Sequence, residues 1–161
     1  MPIHCGYHSF IIQYPNKDRL KRIPVNNLKS KEHIEKTKHN LLATDYNLKG
    51  GFNDWAVSQA YYAMYHGLLA ILYEFGYESK NHECTISAVE HLIEIHKIDL
   101  DIKDVAFIRT TEQMKLQDAK SLREEFQYGT KTDVNKEILN DLVRMAKEIV
   151  EKIEIILGKN S

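Results

Sequence analysis

A chain of 161 residues has room for one domain, and its 7 Gly and 3 Pro are about half the ordinary share, which argues against a turn-rich all-β fold. An apolar fraction of 43% can fill a core and excludes wholesale disorder. With 22 basic and 23 acidic residues the net charge is −1, so a whole-surface basic field for gripping duplex DNA is absent. The balance is uneven along the chain: from Lys17 to Lys38 there are eight basic and three acidic residues, which leaves the remainder acidic.

Residues Met1 to Lys29 read as an extended or partly ordered basic arm. Ile11-Ile12-Gln13-Tyr14 is a candidate short strand within it, and Pro15 and Pro24 break any helix. The start, Met1-Pro2-Ile3-His4-Cys5-Gly6, has no basic segment followed by an apolar one, so no signal peptide is expected and a cytoplasmic location is. Cys5 and Cys84 lie far apart without a C-x-x-C pair, which indicates neither a zinc knuckle nor a disulfide framework and fits a reducing compartment.

From residue 30 to 158 the signal is helical. Ser30 can cap a first helix to about Leu48, with Ile34, Leu41, Leu42 and Leu48 facing inward and Gly50-Gly51 ending it. A second helix begins at Asn53 or Asp54 and runs to Phe75, where Gly76 stops it. It carries a core stripe (Val57, Tyr61, Met64, Leu68, Ile71, Phe75) and a small-residue stripe (Ala56, Ala60, Ala63, Gly67, Ala70) that lets a neighbouring helix approach closely. Its third stripe (Trp55, Gln59, Tyr62, His66, Leu69, Tyr73) is amphipathic. Trp55 to Tyr73 holds no full charge, but Ser58, Gln59 and His66 within it favour the buried helix of a soluble bundle over a membrane span. A helix apolar nearly all round belongs at the centre of a bundle, at a subunit interface, or both.

A third helix fits Glu83 to His96 and a fourth Asp101 to Gln127. The last begins at Asp133, a good N-cap, and carries Val134, Ile138, Leu142, Met145, Ile149, Ile153 and Ile156 at helical spacing. Short loops and the lack of a convincing sheet give an all-α antiparallel bundle of four to five helices.

Three blocks in this order, Ala60-Tyr61-Tyr62-Ala63-Met64-Tyr65-His66, Gly76-Tyr77-Glu78-Ser79-Lys80-Asn81-His82 and Arg123-Glu124-Glu125-Phe126-Gln127-Tyr128, resemble the prokaryotic HEPN superfamily. The likeness is to its small stand-alone proteins of bacteria and archaea. It implies a helical bundle that forms homodimers and acts on RNA or nucleotides, often in toxin–antitoxin or defence systems beside a minimal nucleotidyltransferase partner. Catalytic branches place an Arg and a nearby His at the end of a long helix, facing the symmetry mate, as a metal-independent ribonuclease. There the Arg holds the scissile phosphate while the His moves a proton.

Here Arg123 is followed, four to seven positions on, by Gln127, Tyr128, Gly129 and Thr130, none of them His. Arg109 and Arg144 also lack a His at that spacing. A phenol stays protonated at neutral pH and is a poor general base, although it can donate a hydrogen bond to a phosphate. The resemblance therefore points to a binding module with an incomplete ribonuclease motif. The alternative is a divergent metal-independent endoribonuclease in which Arg123 works with Tyr128 or with a His supplied from elsewhere in space, His82 or His66. Arg123, Tyr128 and His82 are the candidate catalytic residues, and Tyr62, His66 and Gln127 the candidate binding residues. Each also has a structural reading: His66 as a buried imidazole bonded to a carbonyl, His82 as the first residue of a helix, Arg123 as half of an ion pair, Tyr128 as a core-rim tyrosine.

Other chemistries find little support. A di-iron bundle needs Glu-x-x-His on two helices, and that motif does not occur, so neither metal nor cofactor is implied. There is no P-loop, no G-x-G-x-x-G and no G-x-S-x-G. The basic stretch before Lys38 reads as a solvated arm, as a track for a phosphate backbone, or as a dock for an acidic partner.

Overall fold

The computed structural model of the chain describes residues 19–109, 124 and 135–160. The candidate strand from Ile11 to Tyr14 lies outside them. Side-chain caps mark the starts of all the described helices but the second, which begins after Phe52 without one. Asn26 Oδ1 accepts the Lys29 amide at 2.9 Å, so α1 spans Asn27–Lys49 and begins a turn before Ser30. After the Gly50-Gly51 stop, α2 spans Asn53–Glu74. Asn81 caps α3, His82–Glu94, through the Cys84 amide at 3.1 Å, and Asp101 caps α4, Ile102–Ile108, through the Lys103 amide at 2.8 Å. The last helix, α5, spans Lys136–Asn160, with Asn135 Oδ1 accepting the Glu137 amide at 2.9 Å. The predicted cap Asp133 lies outside the described residues.

The predicted fourth helix, Asp101 to Gln127, is not one continuous element. Arg109 closes α4 in an extended conformation, φ −61° and ψ 133°, and its guanidinium bonds Glu83 at 3.1 Å and Glu90, both on α3. Two carboxylates from a neighbouring helix hold this side chain, an arrangement that apolar periodicity cannot register. A small sheet, absent from the sequence reading, is also present. β1 (Leu20–Arg22) pairs antiparallel with β2 (Tyr77–Ser79) in the register Leu20↔Ser79, Lys21↔Glu78, Arg22↔Tyr77. Strands of three residues are too short to show an alternation. Leu20, almost fully buried, nevertheless pins β1 to the core, and the Arg22 guanidinium lies 5.3 Å from the centroid of the Tyr77 ring.

The bundle is all-α apart from that ribbon, and α2 is its centre, with 15 of its 22 residues buried. No described helix is long and apolar enough to cross a membrane. Against the small-residue stripe of α2 lies α1, antiparallel. Ser30 Oγ donates to the Ala70 carbonyl at 2.9 Å and Thr37 Oγ1 to the Ala63 carbonyl at 3.1 Å. The fully buried positions of α1 are therefore polar and small: Ser30, Thr37, Asn40 and Thr44. Leu42, expected inward, is 71% exposed, and Ile34, Leu41 and Leu48 are only partly buried. Close approach of two helices leaves no room for Leu at the contact, while a short hydroxyl fits and finds a carbonyl. Beside α1, α5 packs on α2 as well and buries Leu142, Ile149, Ile153 and Ile156; Ile153 fills the notch above Gly67, within the same stripe, where an added Cβ would lie 2.7 Å from its Cδ1. Lys152 bonds buried Asp104 at 2.5 Å and ties α5 to α4.

Of the two cysteines, Cys84 is fully buried in the first turn of α3 and Cys5 lies outside the described residues.

Candidate functional site

The first turn of α3 meets the middle of α2 because the Gly76 turn and the short β2 strand fold the chain straight back. Gly76, at φ 82°, makes the reversal. His82 is thereby the first residue of α3, and its imidazole lies flat against α2. The Tyr65 ring stacks on it at 4.2 Å between centroids and 11° between planes. Tyr61 lies nearly parallel as well, at 5.8 Å and 9°, and its hydroxyl is hydrogen-bonded to His82 Nδ1. Tyr62 meets Tyr61 edge-on at 5.3 Å.

Hydroxyls fasten the far side of the cluster. Tyr65 Oη and Thr85 Oγ1 are 3.2 Å apart, and Thr85 Oγ1 lies 2.8 Å from Ser79 Oγ, which reaches the Asn81 carbonyl at 3.1 Å. One consistent direction runs through all three: Tyr65 donates to Thr85, Thr85 to Ser79, and Ser79 to the carbonyl. Burial pushes the Tyr65 phenol up, so it remains neutral at physiological pH.

A second imidazole pair adjoins the first cluster. His66, one turn along α2 from Tyr62, meets His33 of α1 head to head, Nδ1 to Nδ1 at 2.9 Å. Tyr65 lies edge-on to His66 at 6.3 Å, and Tyr73 stacks on His33 at 5.2 Å. Burial, then the neighbouring His33 and Lys36, push His66 down to about 4. Burial and then Lys29 lower His33 as well. Both rings are consequently neutral near pH 7, one Nδ1–H donating to the lone pair of the other. Burial, followed by Glu78, raises Tyr73, whose hydroxyl lies 3.4 Å from that carboxylate.

Tyr73, His33, His66, Tyr65, His82, Tyr61 and Tyr62 thus form one continuous file of rings from α1 across α2 to α3. Of the residues singled out in the sequence, Tyr62, His66 and His82 are joined by it. Arg123, Gln127 and Tyr128 lie outside the described residues. The partner of His66 is an imidazole rather than a carbonyl. His33 is not among the sequence candidates, Tyr65 stands there only within the first HEPN-like block, and Tyr61 only within that block and the core stripe. Tyr61 is 1% exposed, so that assignment stands, and the same side chain also reaches His82 with its hydroxyl. The i, i+4 spacing of Tyr61 and Tyr65 is the signal in sequence for their stacking, 6.1 Å between centroids.

Imidazoles and phenols offer hydrogen-bonding groups; Tyr61, Tyr65 and Tyr73 are buried, so the half-buried rings of His33, Tyr62, His66 and His82 are the ones that reach the surface. No group of three or more His, Cys, Asp or Glu placed to hold a metal ion occurs among the described residues. Arg109, the guanidinium nearest in sequence to α3, is held by Glu83 and Glu90.

Comparison with known proteins agrees with this architecture. A UPF0332 protein of the archaeon Archaeoglobus fulgidus is 33% identical over 110 residues, which is 68% of this chain and 80% of that protein. Residues 30–156, the helical bundle from the first turn of α1 to near the end of α5, match the HEPN domain, and the chain belongs to that family.

Proposed function

We propose that the chain is a HEPN module that binds RNA or a nucleotide, acts as a homodimer in a toxin–antitoxin or defence setting beside a minimal nucleotidyltransferase, and lacks strong catalysis of its own. The observation that carries the binding role is the immobilised imidazole of His82, held by the Tyr61 hydroxyl and the Tyr65 face at the start of α3. An imidazole fixed in place suits hydrogen bonding to a phosphate, and Tyr62, edge-on to Tyr61 and only half-buried, is the ring beside it that a base could reach. The absence of His in the positions after Arg123 supports binding over cleavage.

The test uses purified full-length protein and a labelled single-stranded RNA of about 16 nucleotides, the upper end of a single-domain footprint. Saturable binding, intact RNA after long incubation, and about tenfold weaker binding by His82→Ala are expected. Sedimentation equilibrium is expected to give the mass of two chains. Failure of the wild-type protein to bind RNA or nucleotide overturns the reading. RNA cut to 2′,3′-cyclic phosphate ends, with cleavage abolished by Arg123→Ala, replaces it with the endoribonuclease.

A further inference from the structure

What the His33–His66 pair offers to solvent does not depend on which ring donates. Ring centroids 5.1 Å apart, with the two Nδ1 atoms at 2.9 Å, put the imidazoles end to end. Two bare nitrogens at that distance would set lone pair against lone pair, and two N–H groups would clash, so a single proton lies between them. Burial lowers both rings, and a neutral imidazole carries one N–H. Whichever ring supplies the inner proton, therefore, one outer nitrogen of the pair is an Nε2–H donor and the other a bare Nε2. Among the described residues neither ring makes another hydrogen bond or an ion pair. Both Nε2 atoms also reach solvent, because the one buried side-chain polar atom left without a partner among those residues is Asn40 Nδ2. The charges nearby are few. On α1, Lys29 is held by Glu32 at 2.7 Å, while exposed Lys36, one turn beyond His33, makes no ion pair among the described residues. On α2, Tyr65 and Tyr73 face the pair as neutral phenols, and Glu78 of β2 lies behind Tyr73, 3.4 Å from its hydroxyl. Lys36 is close enough to lower His66, so the uncompensated charge on the His66 side is positive.

We propose that the His33–His66 pair, with Lys36 beside it, is a second phosphate-binding site of this chain and takes up one proton, and no more, as the phosphate arrives. That the phosphate belongs to RNA or a nucleotide rests on the reading above; the shared proton and its limit do not. In the free protein the pair gives a phosphate oxygen one neutral N–H. Negative charge at that N–H favours transfer of a proton from solvent to the bare Nε2. The pair then becomes an imidazole–imidazolium with two outward N–H donors and a single positive charge. The inner Nδ1–H···Nδ1 bond survives that step, since one ring still lends its lone pair. A second proton would place N–H against N–H across 2.9 Å and part the rings. Lys36 adds a fixed point charge.

Titration of the full chain with labelled oligouridine of about 16 nucleotides, whose phosphodiesters and bases keep their charge between about pH 7.5 and about pH 5.5, reads the linkage. Wild-type affinity is expected to rise about tenfold as pH falls over that range. The double variant His33→Gln/His66→Gln is expected to lose that rise, whereas Lys36→Gln weakens binding about threefold at every pH and keeps it. Parallel pH curves for the wild type and the double variant, or a Lys36→Gln affinity equal to wild type, overturn the site. Long-range proton–nitrogen correlation spectra of the wild-type imidazoles decide the matter even if the variants fail to fold. Without ligand, the two Nδ1 atoms of the pair are expected to carry one proton between them and the two Nε2 atoms one. With saturating RNA the Nε2 atoms carry two and the Nδ1 atoms still one; a second Nδ1 proton overturns the limit. RNA bound without any change at either ring overturns the site and leaves the proposed function standing. RNA and nucleotide left unbound, with inorganic phosphate still protonating the pair, overturns that function and leaves the site. A chain that binds none of the three overturns both.

Discussion

Gly76 and His96 share a left-handed backbone, φ 82° and φ 56°, and suit it unequally. At Gly76 a Cβ would lie 2.8 Å from the Ile23 carbonyl oxygen, and Ile23 is itself held there by its amide bond to the Gly76 carbonyl at 2.9 Å. Neither atom can step aside, so Gly76→Ala is expected to destabilise the fold by about 2–4 kcal/mol. His96 ends α3, its amide and that of Lys97 bonding the Ile93 and Leu92 carbonyls at 3.0 and 2.9 Å, and its side chain is exposed. His96→Gly keeps those bonds, removes the left-handed penalty and is expected to stabilise by about 1 kcal/mol. Urea unfolding reads both as opposite shifts of the midpoint at constant slope. Shifts of the same sign would refute the backbone account. Gly76 is legible in sequence as a helix stop. His96 performing a similar turn is not, because an imidazole carries no local preference strong enough to announce it.

At the scale of elements, the α1–α2 contact is a close one joined by hydroxyls. Ser30 and Thr37, seven residues apart on α1, reach carbonyls seven residues apart on α2. Ser30→Ala and Thr37→Val are each expected to cost about 1 kcal/mol, since the carbonyls keep their helical bonds and lose only the second donor. Thr37→Leu is expected to cost more, about 1–3 kcal/mol, because the helices must separate to admit it. Leu42→Ala, on the exposed side, is expected to change stability by less than about 0.5 kcal/mol. Thermal unfolding of the four variants orders them, and a Leu42→Ala loss larger than that of Thr37→Leu would reverse the assignment of faces. The helices were legible from their spacing, and so was the small-residue stripe on α2. The face that α1 turns to it was not. Leucines counted as inward lie at the margin or outside, since hydrophobicity alone cannot reveal how close two axes come.

Across the whole molecule, the ring file couples three helices to pH. In the unfolded chain His66 titrates near 6.5 like any histidine, whereas in the folded protein it is pushed down to about 4. Between these values the unfolded chain binds a proton that the folded chain refuses, so stability is full above about 6.5 and falls as pH drops towards about 4, where the loss levels off. His33, lowered in the same direction, adds to it. Allowing for solvent screening of half-buried rings, the loss amounts to about 1–2 kcal/mol. His66→Gln is expected to flatten the dependence of Tm on pH in that window relative to wild type. Parallel curves for the two proteins would show that the pair is not responsible. The sequence by itself determined the all-α class, the helix-stopping glycines, the buried α2 and the HEPN blocks, because each is written in local spacing and turn chemistry. Only the tertiary structure decided that His33 meets His66, that Tyr61 serves both core and His82, and that Arg109 closes α4 between two carboxylates. Those contacts depend on how closely helices approach and how they are aligned, and residues 20 or 30 positions apart acquire that relation only when the chain packs.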